Sequence, residues 1–212
     1  MKKFVNNQNK ILLHKQNGDI IEVSSIKGLT IKFKGCNSTV EVYEPYKFGK
    51  RFIFNRSKIK IDGDNNHIVI KSTKERINSL RVINMKNNNL LQIGENFFQT
   101  GDCIVDYTNL SNMTVSIGDN CMFGQNIKFM LGDYHKIYNK TTNERLNASK
   151  KGIYIGNNVW IARNVTVLKD VSVSDGSVIG IGSLVTKSFK ENNIILAGIP
   201  AKIINRDIVW EK

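Results

Sequence analysis

Three histidines, His14, His67 and His135, are the side chains of this 212-residue chain best suited to move a proton near neutral pH. His135 stands out by context. It ends the run Gly132-Asp133-Tyr134-His135, at the start of a polar stretch, with a carboxylate two residues before it. An imidazole there can take the proton of an attacking hydroxyl. Asp133, or another carboxylate, would orient the ring through its second nitrogen. Taken alone, a histidine in a polar loop needs no role at all. His67, in Asp64-Asn65-Asn66-His67-Ile68, reads as a corner residue, and His14 has no supporting pattern. Metal chemistry is not expected, because the three histidines are scattered without ligand spacing. Cys36, Cys103 and Cys121 are odd in number and far apart, which suits neither zinc nor a disulfide framework and fits a reducing compartment. Met1-Lys2-Lys3 is followed by too short an apolar run for a signal peptide, and no stretch has the length of a membrane-spanning helix. A cytoplasmic protein without an integral membrane segment is the expectation.

The element that must carry His135 is legible in the spacing of aliphatic residues. From Ile155 they recur every six positions: Ile155, Ile161, Val167, Val173, Ile179, Val185. A second series follows four residues after each: Val159, Val165, Val171, Ser177, Ser183. A period of six fits neither a helix nor simple strand alternation. It fits a triangular coil whose sides are short strands, three sides to a turn, with coils stacked as a solenoid. Ile155, Ile161 and Val167 then form one coil, and Val173, Ile179 and Val185 stack on them. The opening Ile-Gly-x-Asn occurs at Ile93, Ile117 and Ile155. Earlier units are longer: Ile31-Lys32-Phe33-Lys34-Gly35-Cys36-Asn37 returns 28 residues later as Ile59-Lys60-Ile61-Asp62-Gly63-Asp64-Asn65, trailed by Val40/Val42 and Ile68/Ile70. Composition agrees. The chain has 28 Ile, which favours strands, and 27 Asn and 16 Gly, which tolerate left-handed corners, with only 2 Pro. The expected organisation is one all-β unit over 1–212. It has looser coils over 1–90, regular coils over 91–187 with an excursion at 130–152, and a closing segment at 188–212.

Four motifs in order give the chain a resemblance to the hexapeptide-repeat acyltransferases, whose fold is a left-handed parallel β-helix. Gly132-Asp133-Tyr134-His135 is similar to the loop bearing that family's catalytic histidine. Ile155-Gly156-Asn157-Asn158-Val159-Trp160-Ile161 resembles its tryptophan coil. Ile179-Gly180-Ile181-Gly182-Ser183-Leu184-Val185-Thr186-Lys187 resembles its coenzyme A coil, and Ala197-Gly198-Ile199-Pro200-Ala201-Lys202 its closing segment. The likeness is greatest to the galactoside and maltose acetyltransferase branch and to O-acetyltransferases of capsular polysaccharide and sialic acid. It implies an acetyl-CoA-dependent O-acetyltransferase and a homotrimer with active sites between subunits. It implies His135 as general base, with Trp160, Arg163, Ile181, Thr186, Lys187 and Lys202 meeting the donor. Direct attack on the thioester needs no seryl or cysteinyl nucleophile. Position 181 holds Ile where the family often has Ala. Where sugar acetyltransferases place a polar Asn for the acceptor, this chain has Thr100, which speaks against a small galactoside. Tyr134, Asn139 and Arg145 are the excursion's candidates for acceptor contact. Carbonic anhydrases on this same fold need three histidine ligands, whose spacing is absent here.

Charge bears on the acceptor. The chain has 31 basic and 18 acidic side chains, and residues 1–100 hold 18 of the basic and 8 of the acidic ones. A basic half attracts polyanions, although solvated lysines alone give the same count. No nucleic-acid recognition motif or aromatic platform accompanies it. The expected acceptor is a capsular or sialic-acid-containing glycan or its sugar precursor. A small sugar, an amino acid or an antibiotic remains the alternative acceptor, and a silent solenoid scaffold the alternative class.

Overall fold

The computed structural model describes residues 8–46 and 54–211. Within them the chain coils through three sheets, here A, B and C, of eight, seven and eight strands. Each turn visits A, then C, then B. Almost all neighbouring strands are parallel. The exceptions are Lys10–His14 with Ile20–Glu22 at one end and Ile195–Gly198 with Ala201–Asn205 at the other. These antiparallel hairpins occupy the ends of sheets A and C, where a parallel stack would otherwise expose unpaired strand edges.

The stacking register is the one the repeats imply. Ile155 lies on Val173, Ile161 on Ile179 and Val167 on Val185. The 28-residue repeat stacks Ile31 on Ile59, Val40 on Ile68 and Val42 on Ile70. Both hexapeptide series point inward: Val159, Val165, Val171, Ser177 and Ser183 are as buried as the Ile/Val series. The result is a continuous column of aliphatic side chains, widened by Phe97, Phe123, Phe129 and Tyr107 in the middle coils. Removing this apolar surface from water is the main favourable term in folding. Backbone amides bond from coil to coil, as Trp160 N to Ser177 O at 2.9 Å.

Corners are where asparagine earns its abundance. Most described non-glycine residues with positive φ are Asn, among them Asn65, Asn88, Asn96, Asn120, Asn126, Asn158 and Asn164. Their side chains also stack, Asn126 Nδ2 donating to Asn164 Oδ1 at 3.0 Å. His67, expected at a corner, instead opens strand His67–Ile70. Its Nε2 and that of His14 each lie 2.7 Å from a Glu41 oxygen, because Asn65 and Asn66 have already made the turn.

The excursion leaves sheet B after Ile127–Met130 and re-enters sheet A at Gly152–Ile155. Strand Thr114–Ile117 therefore stacks on a strand 38 residues later, although the next coil step takes only 18. The return is fixed by Asp170, whose carboxylate accepts from the N–H groups of Lys150 and Lys151 at 2.9 and 2.7 Å. Among the described residues no helix is long and apolar enough to cross a membrane.

Candidate functional site

Three edges join the sheets, and the expected site residues divide between two of them. The excursion with His135 stands on the edge from B to A. It is a built loop. Tyr138 and Arg145 bridge across it, and Asn139 Oδ1 caps its turn by accepting from Thr141 and Thr142 at 2.8 and 3.0 Å. Asn147 ties its two arms: Nδ2 donates to Asp133 Oδ2 at 2.9 Å and to His135 O at 2.7 Å, and Oδ1 accepts from Ile137 N at 2.9 Å. Asn147 is nearly buried, which makes these bonds strong against competition from water.

Asp133 and His135 meet only through the backbone, where His135 N donates to Asp133 O at 2.6 Å. The Asp133 carboxylate is taken by Lys169 and Asn147, and the Lys169 ammonium is the main cause that holds it below the usual carboxylate range. The His135 ring makes no hydrogen bond among the described residues. Asp133, expected to orient the ring, is therefore engaged elsewhere within this chain.

Tyr134 has φ +61°, and its hydroxyl turns back to the coil. It donates to Asp106 Oδ2 at 2.5 Å and accepts from Asn84 Nδ2 at 2.9 Å. Burial, then the Asp106 carboxylate, push its phenol up to about 12. Expected to face the acceptor, the Tyr134 hydroxyl instead anchors the loop. The ring itself stays half exposed. Arg145 points its Nε at Asn147 Oδ1, 3.5 Å away.

The second set lies on the edge from C to B. Thr100, Trp160, Arg163 and Ile181 line one groove of about 380 Å³, floored by Met122 and Phe123. Sheet C sets this up: Phe98, Met122, Trp160 and Val178 occupy successive rungs. Gly124 is needed here, since a Cβ on it would come within 2.9 Å of the Arg163 amide. Thr186 and Lys187 do not join the groove. They follow Leu184–Val185 on the B–A edge, the edge of His135. Lys202 is exposed on the terminal hairpin, opposite Ala197.

Two residues that spacing did not single out shape the site. Trp210, in the tail, sets its ring 6.0 Å from that of Trp160, tilted by 44°, and donates Nε1–H to Asn158 O at 2.7 Å. Asn147 organises the loop as described. Burial pushes the thiols of Cys103 and Cys121 up, the latter to about 12, so neither offers a thiolate nucleophile. No three His, Cys, Asp or Glu side chains converge as metal ligands among the described residues.

Stacked short parallel strands in three-sided coils, broken by one long excursion, are the architecture of the hexapeptide-repeat acetyltransferases, whose β-helix is left-handed. No family model matches the chain. The polysialic acid O-acetyltransferase of Neisseria meningitidis is 31% identical over 196 residues, 84% of this chain and 87% of the relative. The chain belongs to that family of hexapeptide-repeat acetyltransferases. The galactoside O-acetyltransferase of Escherichia coli K12 is 33% identical over 114 residues, and the chain spans about half of that relative's length, 53%. The crystal structure of the polySia-specific acetyltransferase NeuO covers 97% of this chain and is itself covered to 89%, with TM-score 0.59 at 24% identity.

Proposed function

We propose that this chain is an acetyl-CoA-dependent O-acetyltransferase whose acceptor is a hydroxyl of a sialic-acid-type capsular polysaccharide. The observation that carries the reading is the groove, which gathers Thr100, Trp160, Arg163 and Ile181 from three different coils onto one edge. Its apolar floor suits a flexible acyl-pantetheine arm, and Arg163 suits phosphate. The thioester supplies the activated acetyl group. The protein's part is to hold it and to deprotonate the attacking hydroxyl. His135 takes that proton and returns it to the leaving thiolate, so the base is regenerated. The long acidic acceptor is favoured by the relative that matches most of the chain and by the basic early coils.

Sheet B separates the two halves of this site. His135, Thr186 and Lys187 stand on one of its edges, and Arg163 and Ile181 on the other. We infer that the B–A edge of one copy meets the C–B edge of the next, as in a ring of three. Exposed apolar side chains on both edges support this: Ile137, Tyr138 and Leu146 on the excursion, and Ile181 in the groove lining at 68% exposure. Apolar side chains clustered on a surface mark a contact.

The reading is tested by incubating the purified chain with acetyl-CoA and polysialic acid and following free thiol and glycan-bound acetyl. Equal amounts of both are expected. Transfer to galactosides or maltose in preference to polysialic acid would overturn the acceptor. Absence of transfer to every hydroxyl acceptor would overturn the activity.

A further inference from the structure

The third edge, from sheet A to sheet C, lies opposite sheet B and adjoins the acetyl-transfer groove at Trp210, whose ring lies 6.0 Å from that of Trp160. A groove of about 380 Å³ runs along it, lined by Lys74, Asn96, Asn120, Asn158 and Trp210. The three asparagines sit at equivalent corners of successive coils, each with φ between +51° and +57°. Asn96 Nδ2 donates to Asn120 Oδ1 at 3.1 Å. At the head of the ladder Asn96 Oδ1 is buried with no donor among the described residues, a costly state for an amide oxygen. Lys74 stands at the preceding corner, and the Trp210 indole closes the far end. The neighbouring carboxylates are engaged, Glu95 by the Tyr46 hydroxyl at 2.8 Å and Asp119 by the Glu95 amide at 2.7 Å.

An indole face, a row of primary amides and an ammonium are the complement of an acidic pyranose. The ring's apolar face covers the indole, hydroxyls and acylamino groups pair with the amides, and an acidic substituent meets the lysine. Successive corners are about 4.8 Å apart, one strand spacing. The ladder therefore offers repeated amides along a line, as an extended oligosaccharide requires. We propose that this groove is a carbohydrate subsite that holds a second segment of the acceptor polymer while another segment is acetylated. The proposal rests on the glycan reading above. An assembly that joins the two edges of sheet B leaves this third edge outside, open to a long chain. Two linked contacts raise the apparent affinity for a polymer and leave that for a short acceptor unchanged.

The test pairs Lys74→Ala with Asn120→Gly in the full chain. Glycine keeps the positive φ and removes only the amide, and neither residue touches the acetyl-transfer groove. The KM for polysialic acid is expected to rise about tenfold, as the loss of two or so polar contacts implies. The KM for a sialic acid trimer and for acetyl-CoA should not change. An unchanged polymer KM, or an equal rise for the trimer, overturns the subsite while leaving the activity intact. Should wild type transfer acetyl to no glycan, the function reading fails first. Quenching of tryptophan fluorescence by polysialic acid then decides the subsite, and a response identical in wild type and double variant overturns it.

Discussion

His135→Ala should lower kcat for acetyl transfer by about 10²- to 10⁴-fold, the range in which a positioned general base contributes. The KM for acetyl-CoA and the unfolding midpoint should stay at wild-type values. The physical reason is the ring's isolation within the protomer. The excursion is held by Asn147 through the His135 carbonyl, by Tyr134 through Asp106, and by Asp170 at its return. None of these bonds uses the imidazole, so its removal deletes chemistry without deleting structure. A variant that transfers acetyl at the wild-type rate would show that another group takes the proton.

The second large effect concerns the seam where the excursion rejoins the coil. Gly152 opens strand Gly152–Ile155 with φ +130°, and a Cβ placed on it would lie 1.9 Å from the Thr114 carbonyl oxygen. That neighbour is backbone in the stacked coil, so it cannot step aside without opening the sheet A ladder. Gly152→Ala is expected to destabilise the fold by roughly 3 kcal/mol or more, the scale reached when strain and a core clash coincide. Gly18 is the control. It has φ +92° but open space around the missing Cβ, so Gly18→Ala should cost only about 1–2 kcal/mol. Urea unfolding of the two variants measures both. Equal midpoints for Gly152→Ala and wild type would contradict the stacking at this seam.

The solenoid was legible because its contacts repeat at fixed sequence offsets. Ile155 over Val173 and Ile31 over Ile59 are a period in the sequence and a rung in the structure. Asparagine's place at corners followed from its tolerance of positive φ. The excursion was visible as lost register, and the histidine proposed as its base by its motif. What escaped notice were contacts with no period. Trp210 reaches Trp160 because the tail after the terminal hairpin turns back to the coil, Ile208 N donating to Asn193 O at 3.0 Å. Tyr134 looked like an acceptor contact, yet Asp106 and Asn84 lie within reach of its hydroxyl, from coils 28 and 50 residues earlier. Asp133 looked like an orienting carboxylate, yet Lys169 comes up from the next coil and claims it. A sequence shows which residues share a loop. It does not show which charge on a neighbouring coil will arrive first.

The division of the site across sheet B makes the central claim testable in one measurement. His135→Ala lacks the base, and Ala162→Trp fills the groove, so each alone should be nearly inactive. Chains of both kinds, unfolded together and refolded at equal ratio, form sites in which a clear groove from one copy faces an intact His135 from another. Random mixing in a closed ring puts the right variant on each side of about a quarter of the sites. Acetyl transfer to polysialic acid at about a quarter of the wild-type rate is the expected result. A mixture no more active than its two parents would contradict a site shared between copies.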